Sequence, residues 1–323
     1  MPSHIAHTLF GRETARLVNF TINDSNWFTL GCQGPDIFLH NQRTMPSSLF
    51  WGKSLHRRNY GHFCSNLISC MTSAGKNWNS PIGSYIFGFI THAFLDRETH
   101  PYITYFSGWG KENKMFHPFL ERLIDIEISN SFSEKTPGTY SFFNSIDLGP
   151  ELPEDLMKIL SQALYIHFNK PYTLEDIVIR ISHAYDDTMH FLKNTDIYSN
   201  DLVEKIKKVE VDSANSRLLA LFHPPYIPDY MDVLNINHAN WQHPWVPEIV
   251  SIQSFTDIFK KGIVNAVDNL SLILFENSEN IEALIGNDNL NTGLPYSAGV
   301  LPKVSNPLPL GKFLNELYNQ SVN

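Results

Sequence analysis

The chain has 323 residues, of which 42% are apolar and 13% aromatic, so it can form a sizeable buried core and is not a disordered protein. It carries 24 Lys and Arg against 33 Asp and Glu, and the net charge of −9 argues against a surface that binds nucleic acid by general attraction. No stretch reaches the ~18 apolar residues of a membrane-spanning helix, and no basic patch precedes a hydrophobic region at the start. We therefore expect a cytoplasmic protein in which Cys32, Cys64 and Cys70 are reduced thiols.

Helical patterns follow one another along most of the chain, and alternating strand patterns are scarce. Ser80 is a suitable N-cap and Pro81 a suitable first residue for one of these helices, and Pro101 is expected to end it. The predicted helices cover residues 6–22, 49–74, 82–99, 114–132, 153–168, 173–192, 200–222, 255–276 and 313–318.

The sequence thus predicts an all-α fold. Residues 1–222 are expected to form a helical metal-binding core. A Pro- and Asn-rich segment begins at His223, and residues 223–323 are expected to pack on that core as part of one structural unit.

Histidines and acids with helical spacing give the first functional signal. His92, Asp96 and His100 are four residues apart, so a helix would place them on one polar ridge spanning ~12 Å. An inward polar ridge is costly unless its members are paired or bind metal. That span is long for a single ion, so Asp96, in the middle, is the natural carboxylate to bridge neighbouring ions.

His117 and Glu121 form a second pair with this spacing, which suits a shared ion. Such pairs are weak evidence, because about 1.4 are expected by chance from this composition and three occur. The third is His183 with Asp187, which we interpret as part of a solvated helix face.

Further candidates lie upstream. Asp36 follows Gly34 and Pro35 in a rigid turn, where a carboxylate can face a cleft or merely close the turn. His56 and His62 share a predicted helix, and at most one of them is expected to face inward. His4 and His7 lie three residues apart on the first helix.

In their order along the chain, these residues resemble the zinc-dependent phospholipase C family, to which fungal single-strand nucleases are related. The resemblance rests on the start His7-Thr8-Leu9-Phe10-Gly11-Arg12-Glu13, the turn Gly34-Pro35-Asp36, and the segment Gly52-Lys53-Ser54-Leu55-His56. It continues in His92-x3-Asp96-x3-His100-Pro101-Tyr102 and His117-x3-Glu121, and covers about residues 1–130. The segment Asn237–Pro244 is also similar to the family's intracellular branch. The resemblance implies a multi-helix bundle around a multi-zinc cleft.

The resemblance also implies how two or three zinc ions would be shared. One ion would bind Asp36, His56, His92 and Asp96, and a second would bind His100, His117 and Glu121. A third would bind His7 and a shared Asp96, completed by the N-terminal amine or by His4. Asp36 would also act as general base. Manganese or iron would suit the same ligands.

The implied function is zinc-dependent hydrolysis of a phosphodiester, most like a phospholipase C, with a phosphate ester as the partner molecule. One alternative is a nuclease or nucleotidase, whose bases would stack on Tyr226, Tyr230, Trp241 or Trp245, although we favour a packed loop for that stretch. The other alternative is a non-catalytic binding module stabilised by zinc. The oligomeric state is left open.

Overall fold

The computed structural model describes residues 4–41, 44–132, 134–168, 171–209, 218–275, 280–296 and 301–320. Within these ranges almost all of the regular secondary structure is helical, which confirms the all-α prediction. The α-helices are His4–Leu17 (α1), Ser25–Cys32 (α2), Leu49–Arg57 (α3), Tyr60–Ser73 (α4), Pro81–Ser107 (α5), Phe116–Ser131 (α6), Phe143–Ile146 (α7), Glu154–Phe168 (α8), Leu174–Thr195 (α9), Asn200–Val209 (α10), Phe255–Phe275 (α11), Ile281–Ile285 (α12) and Leu310–Gln320 (α13).

Short elements join these helices. Gly34–Phe38 and Leu219–Leu221 are 3-10 turns. Two strands, β1 (Trp241–Gln242) and β2 (Val250–Ser251), form an antiparallel pair in which Trp241 lies opposite Ser251. In the described ranges, no helix combines the length and the apolar character needed to cross a bilayer.

Helix α5 is the centre of the molecule and is buried along most of its length. It begins as predicted, with the Ser80 hydroxyl accepting a hydrogen bond from the Gly83 amide and Pro81 in the first turn. The prediction that Pro101 ends it is wrong, because the helix continues to Ser107. An internal proline costs ~3 kcal/mol, and burial of the following turn, including Tyr102 and Ile103, outweighs that cost.

Three other predicted helices differ from the observed ones. The single helix predicted over 49–74 is divided into α3 and α4 at Asn59, which has a φ of 59°. Asparagine tolerates this left-handed conformation, while the apolar pattern on both sides hides the break from a periodicity analysis. The first helix ends at Leu17 rather than Ile22, ahead of Asn19 with a φ of 54°. Of the helix predicted over 200–222, the structure describes Asn200–Val209 as helix and Leu219–Leu221 as a 3-10 turn, and residues 210–217 lie outside the described residues.

The C-terminal segment packs against the helices of the first part. Helix α11 lies against α1 and α5, and α13 lies against α6. One hydrophobic core contains Phe10 and Leu123 together with Phe259 and Phe313. The boundary at residue 222 between a core and a packing segment stays a prediction.

Helices α2 and α5 approach closely because each presents a glycine to the other. A Cβ atom on Gly31 would overlap the Tyr85 carbonyl oxygen, and one on Gly88 would lie 2.5 Å from the Phe28 carbonyl oxygen. Both neighbours are backbone atoms, which cannot swing aside. The close approach sets the position of the turn after α2 relative to α5, and that turn carries Asp36.

We therefore expect Gly31→Ala to lower the free energy of unfolding by about 2 kcal/mol or more, because the added methyl forces the two backbones apart. Urea unfolding followed by circular dichroism measures this loss. Gly311→Ala is the matched control, since its Cβ would lie 3.1 Å from the movable ring of Phe116. An effect of Gly31→Ala no larger than that of the control would contradict the close-packing explanation.

Candidate metal centre

The structure brings all eight predicted site residues together in one contiguous cluster. They come from five elements that are separate in sequence and meet around the middle of α5. Their contacts run without interruption through three carboxylates and five imidazoles: His7 on α1, Asp36 in the 3-10 turn, His56 on α3, His92, Asp96 and His100 on α5, and His117 and Glu121 on α6.

Asp96 is the centre of this cluster because its two carboxylate oxygens face four imidazoles. Its Oδ1 atom lies 3.1 Å from His7 Nε2 and 3.4 Å from His100 Nδ1. Its Oδ2 atom lies 3.0 Å from His92 Nε2 and 3.7 Å from His56 Nε2. A carboxylate with different imidazoles on each oxygen has the arrangement expected of a bridge between cations.

Asp36 closes one side of the cluster. Its Oδ1 atom is 3.0 Å from His56 Nε2, and its Oδ2 atom is 3.6 Å from His92 Nε2. The turn can come this close to α5 only because residue 34 is a glycine. Gly34 has a φ of 56°, and a Cβ atom there would overlap the His92 ring.

The other side of the cluster joins α5 to α6. Glu121 Oε1 lies 3.1 Å from His117 Nε2 and 3.8 Å from His100 Nε2, and the rings of His100 and His117 stack at 5.4 Å. Glu121 is buried, whereas His117 is partly open to solvent. The two helices therefore present one carboxylate between two imidazoles, at the edge of a cavity.

Backbone contacts fix the orientation of two of the imidazoles. His56 Nδ1 lies 2.7 Å from the Gly52 carbonyl oxygen, and His92 Nδ1 lies 3.1 Å from the Cys32 carbonyl oxygen. A carbonyl oxygen can only accept, so each Nδ1 atom carries a proton and donates it. The Nε2 atoms of the two rings therefore face the carboxylates, and each would offer its lone pair to a cation bound there. This pattern of a backbone-held histidine is typical of metal ligands.

Lone pairs that face carboxylate oxygens repel one another unless a proton or a metal cation lies between them. In the part of the chain that the structure describes, Asp36 Oδ2, His92 Nε2, Asp96 Oδ2 and His100 Nδ1 are buried atoms that form no hydrogen bond of acceptable geometry. Buried polar atoms are rarely left in this condition. The cluster therefore has the form of a site that binds cations.

Without a bound cation, the close contacts between imidazoles and carboxylates shift the pKa values of these side chains. Burial lowers the pKa of His92, but the charges of Asp96 and Asp36 raise it further, to about 9. Burial raises the pKa of Asp96, but His100 and His92 outweigh it and hold that pKa well below its ordinary value. Burial also raises the pKa of Asp36, and His56 and His92 reverse that effect to give a lowered pKa. The carboxylates are thus ionised and ready to bind a cation.

Three sets of donor atoms lie close enough together to hold one ion each, with every pair of atoms in a set within 4.8 Å. These sets are His7 with Asp36 and His92, His56 with His92 and Asp96, and His100 with His117 and Glu121. The third set equals the second zinc site that the resemblance implies. The first set differs from the third zinc site that the resemblance implies. It groups His7 with Asp36 and His92, whereas the implied site pairs His7 with Asp96, which also lies near His7.

Two histidines that the sequence left as alternatives lie elsewhere. His62 is exposed and pairs with Glu282 at 2.9 Å, so the inward residue of its pair is His56. His4 Nδ1 lies 2.7 Å from the Arg122 guanidinium, and its ring stacks on His40. The N-terminal amine proposed for the third ion lies outside the described residues.

The pair His183 and Asp187 does not join the cluster either. Its interpretation as a solvated face is wrong for Asp187, which is buried and accepts hydrogen bonds from the Thr44 hydroxyl at 2.7 Å and the Asn41 amide at 3.2 Å. This carboxylate holds the segment between the 3-10 turn and α3, so its role is structural.

A cavity of about 230 Å³ opens onto the cluster from solvent. Asp36, His56, His100 and His117 line it together with four residues that the sequence analysis did not single out as site residues: Leu39, Lys53, Arg57 and Asn291. A helical-face analysis could have indicated Lys53, which is three residues before His56, and then Arg57, which is four residues after Lys53. Asn291 is 235 positions from His56, and nothing in the sequence links the two.

The aromatic residues considered for base stacking lie away from this cavity. Trp241 is buried, and its indole N–H donates to the Gln253 carbonyl at 3.0 Å. Tyr226 packs on Phe313, and Tyr230 donates to Glu316 at 2.7 Å. Trp241 fits the interpretation of this stretch as a packed loop, whereas Tyr226 and Tyr230 are exposed despite their contacts.

Comparison with known proteins assigns the chain to a class. A family model described as zinc dependent phospholipase C matches residues 3–170, which include all eight residues of the cluster. The chain therefore belongs to the zinc-dependent phospholipase C family. The comparisons found no match among the curated proteins and none among the solved structures.

The raised pKa of His92 predicts a pH dependence of the protein treated with chelator. Because the folded-state pKa of about 9 is above the ordinary 6.5, the imidazolium stabilises the fold fully below pH 6.5, and this stabilisation is lost as the pH rises through 9. At ~1.4 kcal/mol per pKa unit, it amounts to at most roughly 3 kcal/mol.

Urea unfolding of the wild type and of His92→Gln in chelator, at pH 6 and at pH 9.5, isolates this contribution. We expect the stability difference between the two proteins to be larger at pH 6 and to shrink at pH 9.5. The same difference at both pH values would contradict the assigned charge state of His92.

Proposed function

We propose that this protein is a zinc-dependent phosphodiester hydrolase of the phospholipase C type. The observation that carries the proposal is the position of Asp96, whose two oxygens face His7 and His100 on one side and His92 and His56 on the other. Such a carboxylate suits adjacent cations, and adjacent cations suit phosphoryl transfer. Membership of a family of hydrolases supports the same conclusion.

The donor atoms fit zinc. The cluster offers imidazole nitrogens and carboxylate oxygens, which zinc binds at ~2.0–2.2 Å, so that two ligands of a tetrahedral ion are about 3.4 Å apart. The contacts of Asp96 with His7, His92 and His100, from 3.0 to 3.4 Å, are close to this spacing. We propose two or three zinc ions.

The proposed ligands divide as follows. Asp36, His56, His92 and Asp96 would hold one ion, and His100, His117 and Glu121 a second. His7 would serve a third with Asp96. Its contact of 3.1 Å with Asp96 supports this role.

Zinc in such a site would supply two kinds of chemistry, since it withdraws negative charge from phosphoryl oxygens and lowers the pKa of water to about 7. In the proposed reaction the oxygen of water bonds to phosphorus, the bond between phosphorus and the glycerol oxygen breaks, and that oxygen leaves with a proton. Asp36 lines the cavity as an ionised carboxylate, so we assign it as a ligand and as the group that accepts the proton of the attacking water.

The two alternatives are less well supported. A nuclease or nucleotidase would need aromatic rings for base stacking at the cavity, and Trp241 and Tyr226 pack elsewhere. A module with structural zinc would have closed sites with four protein ligands, whereas His117 and Asp36 border a cavity open to solvent. A cytoplasmic location remains part of the proposal, on the basis of three buried free cysteines.

Activity of the metal-loaded protein tests the proposal directly. We expect purified protein supplied with zinc to hydrolyse the chromogenic diester bis(4-nitrophenyl) phosphate and short-chain phospholipids. A chelator is expected to abolish both activities, and renewed addition of zinc to restore them. Activity that survives the chelator, or no hydrolysis of any phosphodiester, would refute the proposal.

The bridging role of Asp96 predicts a change in metal content. Asp96→Asn removes the charge that would be shared between ions, so we expect the variant to lose at least one zinc per chain and at least about 100-fold in kcat/KM. Zinc is measured by atomic emission on dialysed protein. Asp187→Asn is the control, because it also neutralises a buried Asp but lies outside the cluster. Unchanged zinc content in Asp96→Asn would exclude a bridge.

A further inference from the structure

Two cations on α3 share the helix face that carries His56. Lys53 and Arg57 are three residues before and one residue after it, a spacing that directs Lys53, His56 and Arg57 to one side of the helix. All three line the cavity that opens onto the cluster of imidazoles and carboxylates. Both cationic side chains are exposed, whereas His56 is buried.

Among the described residues, no carboxylate neutralises either cation. Across the described ranges, Lys53 and Arg57 form no ion pair, and Asp36 is the single acid lining the cavity, where His56 holds one of its oxygens. Arg58 is different, because its guanidinium lies over the Tyr296 ring at 5.0 Å and does not line this cavity. The cavity mouth therefore carries two positive charges in addition to those that the proposed zinc ions would bring.

The lining of the cavity also lacks the groups that bind a quaternary ammonium ion. Such headgroups are held by aromatic rings or by carboxylates. No Phe, Tyr or Trp of the described chain lines the cavity, and Asp36 belongs to the metal cluster. The remaining neutral lining groups are Leu39 and Asn291.

Asn291 is placed at the cavity by a loop from the C-terminal segment. The Leu290 amide donates to the His56 carbonyl oxygen at 2.7 Å, so the loop is attached to the same helix as the two cations. An amide can donate to an anion as well as accept from a hydroxyl.

We propose that the substrate carries a second anionic group besides its phosphodiester, and that Lys53 and Arg57 bind this group. The inference rests on the proposed function and specifies it, since it makes the substrate a phosphodiester with an anionic headgroup. Arginine binds carboxylates and phosphates in a bidentate manner, and lysine adds a point charge. In this proposal the zinc ions would support the reaction, whereas the two cations of α3 would select the headgroup.

Matched substrates isolate the contribution of the second anion. Dihexanoyl-phosphatidylserine and dihexanoyl-phosphatidylethanolamine differ by one carboxylate, and their glycerophosphodiester counterparts without acyl chains differ in the same way. We expect the zinc-loaded protein to show a kcat/KM about tenfold higher for the serine compound in each pair. A preference in the acylated pair alone assigns a lipid substrate, and one in both pairs assigns the headgroup as sufficient.

Variants assign this preference to the two side chains. Lys53→Ala/Arg57→Ala is expected to lower kcat/KM for the serine compound about tenfold relative to that for the ethanolamine compound, so that the two values become equal. Arg58→Ala removes a neighbouring positive charge outside the cavity and is expected to keep the preference. Equal discrimination by the wild type and the double variant would overturn the inference.

Binding provides a second readout that does not depend on turnover. Calorimetry with zinc-loaded protein compares O-phosphoserine with phosphoethanolamine, and we expect the wild type to bind phosphoserine about tenfold more tightly and the double variant to bind both alike. Equal affinities in the wild type would overturn the inference, even if every phosphodiester is hydrolysed. A wild type that hydrolyses none of these diesters, including bis(4-nitrophenyl) phosphate, would instead refute the proposed function.

Discussion

Three carboxylates buried in a helical core impose the condition on which the rest of the molecule depends. Asp36, Asp96 and Glu121 lie among imidazoles with almost no access to water. Unpaired buried charges of this kind would cost several kcal/mol each, so the fold must place positive charge beside them. The surrounding helices supply imidazoles that can carry this charge or bind the proposed zinc ions, and backbone carbonyl groups orient two of the rings. The proposed metal binding would therefore be coupled to folding through the same side chains.

Much of this centre could be predicted from the sequence because helical spacing is a local property. The ridge of His92, Asp96 and His100 lies on one helix face, and the pair on α6 lies opposite it as expected. What spacing cannot reveal is which face of a helix meets another helix. His56 and His62 illustrate this limit, since they lie on the separate helices α3 and α4, and tertiary packing buries the first and exposes the second.

The differences between the predicted and the observed helices also arise from tertiary packing. Pro101 and Asn59 are both residues that end helices, and local rules treat them alike. Burial on all sides carries α5 past Pro101, whereas the chain at Asn59 adopts a left-handed turn and starts a new helix. The outcome depends on the neighbours of each segment, which a single sequence does not display. The cavity residue Asn291 escaped prediction for that reason too.

The hydrogen bond between the Leu290 amide and the His56 carbonyl group has an evolutionary consequence. It fastens a stretch outside the matched region, residues 3–170, to a helix inside it. The clustered imidazoles and carboxylates and one wall of the cavity in front of them are thus encoded in distant parts of the gene. Substitutions in the later part can change the shape of this cavity while leaving the eight clustered residues as they are.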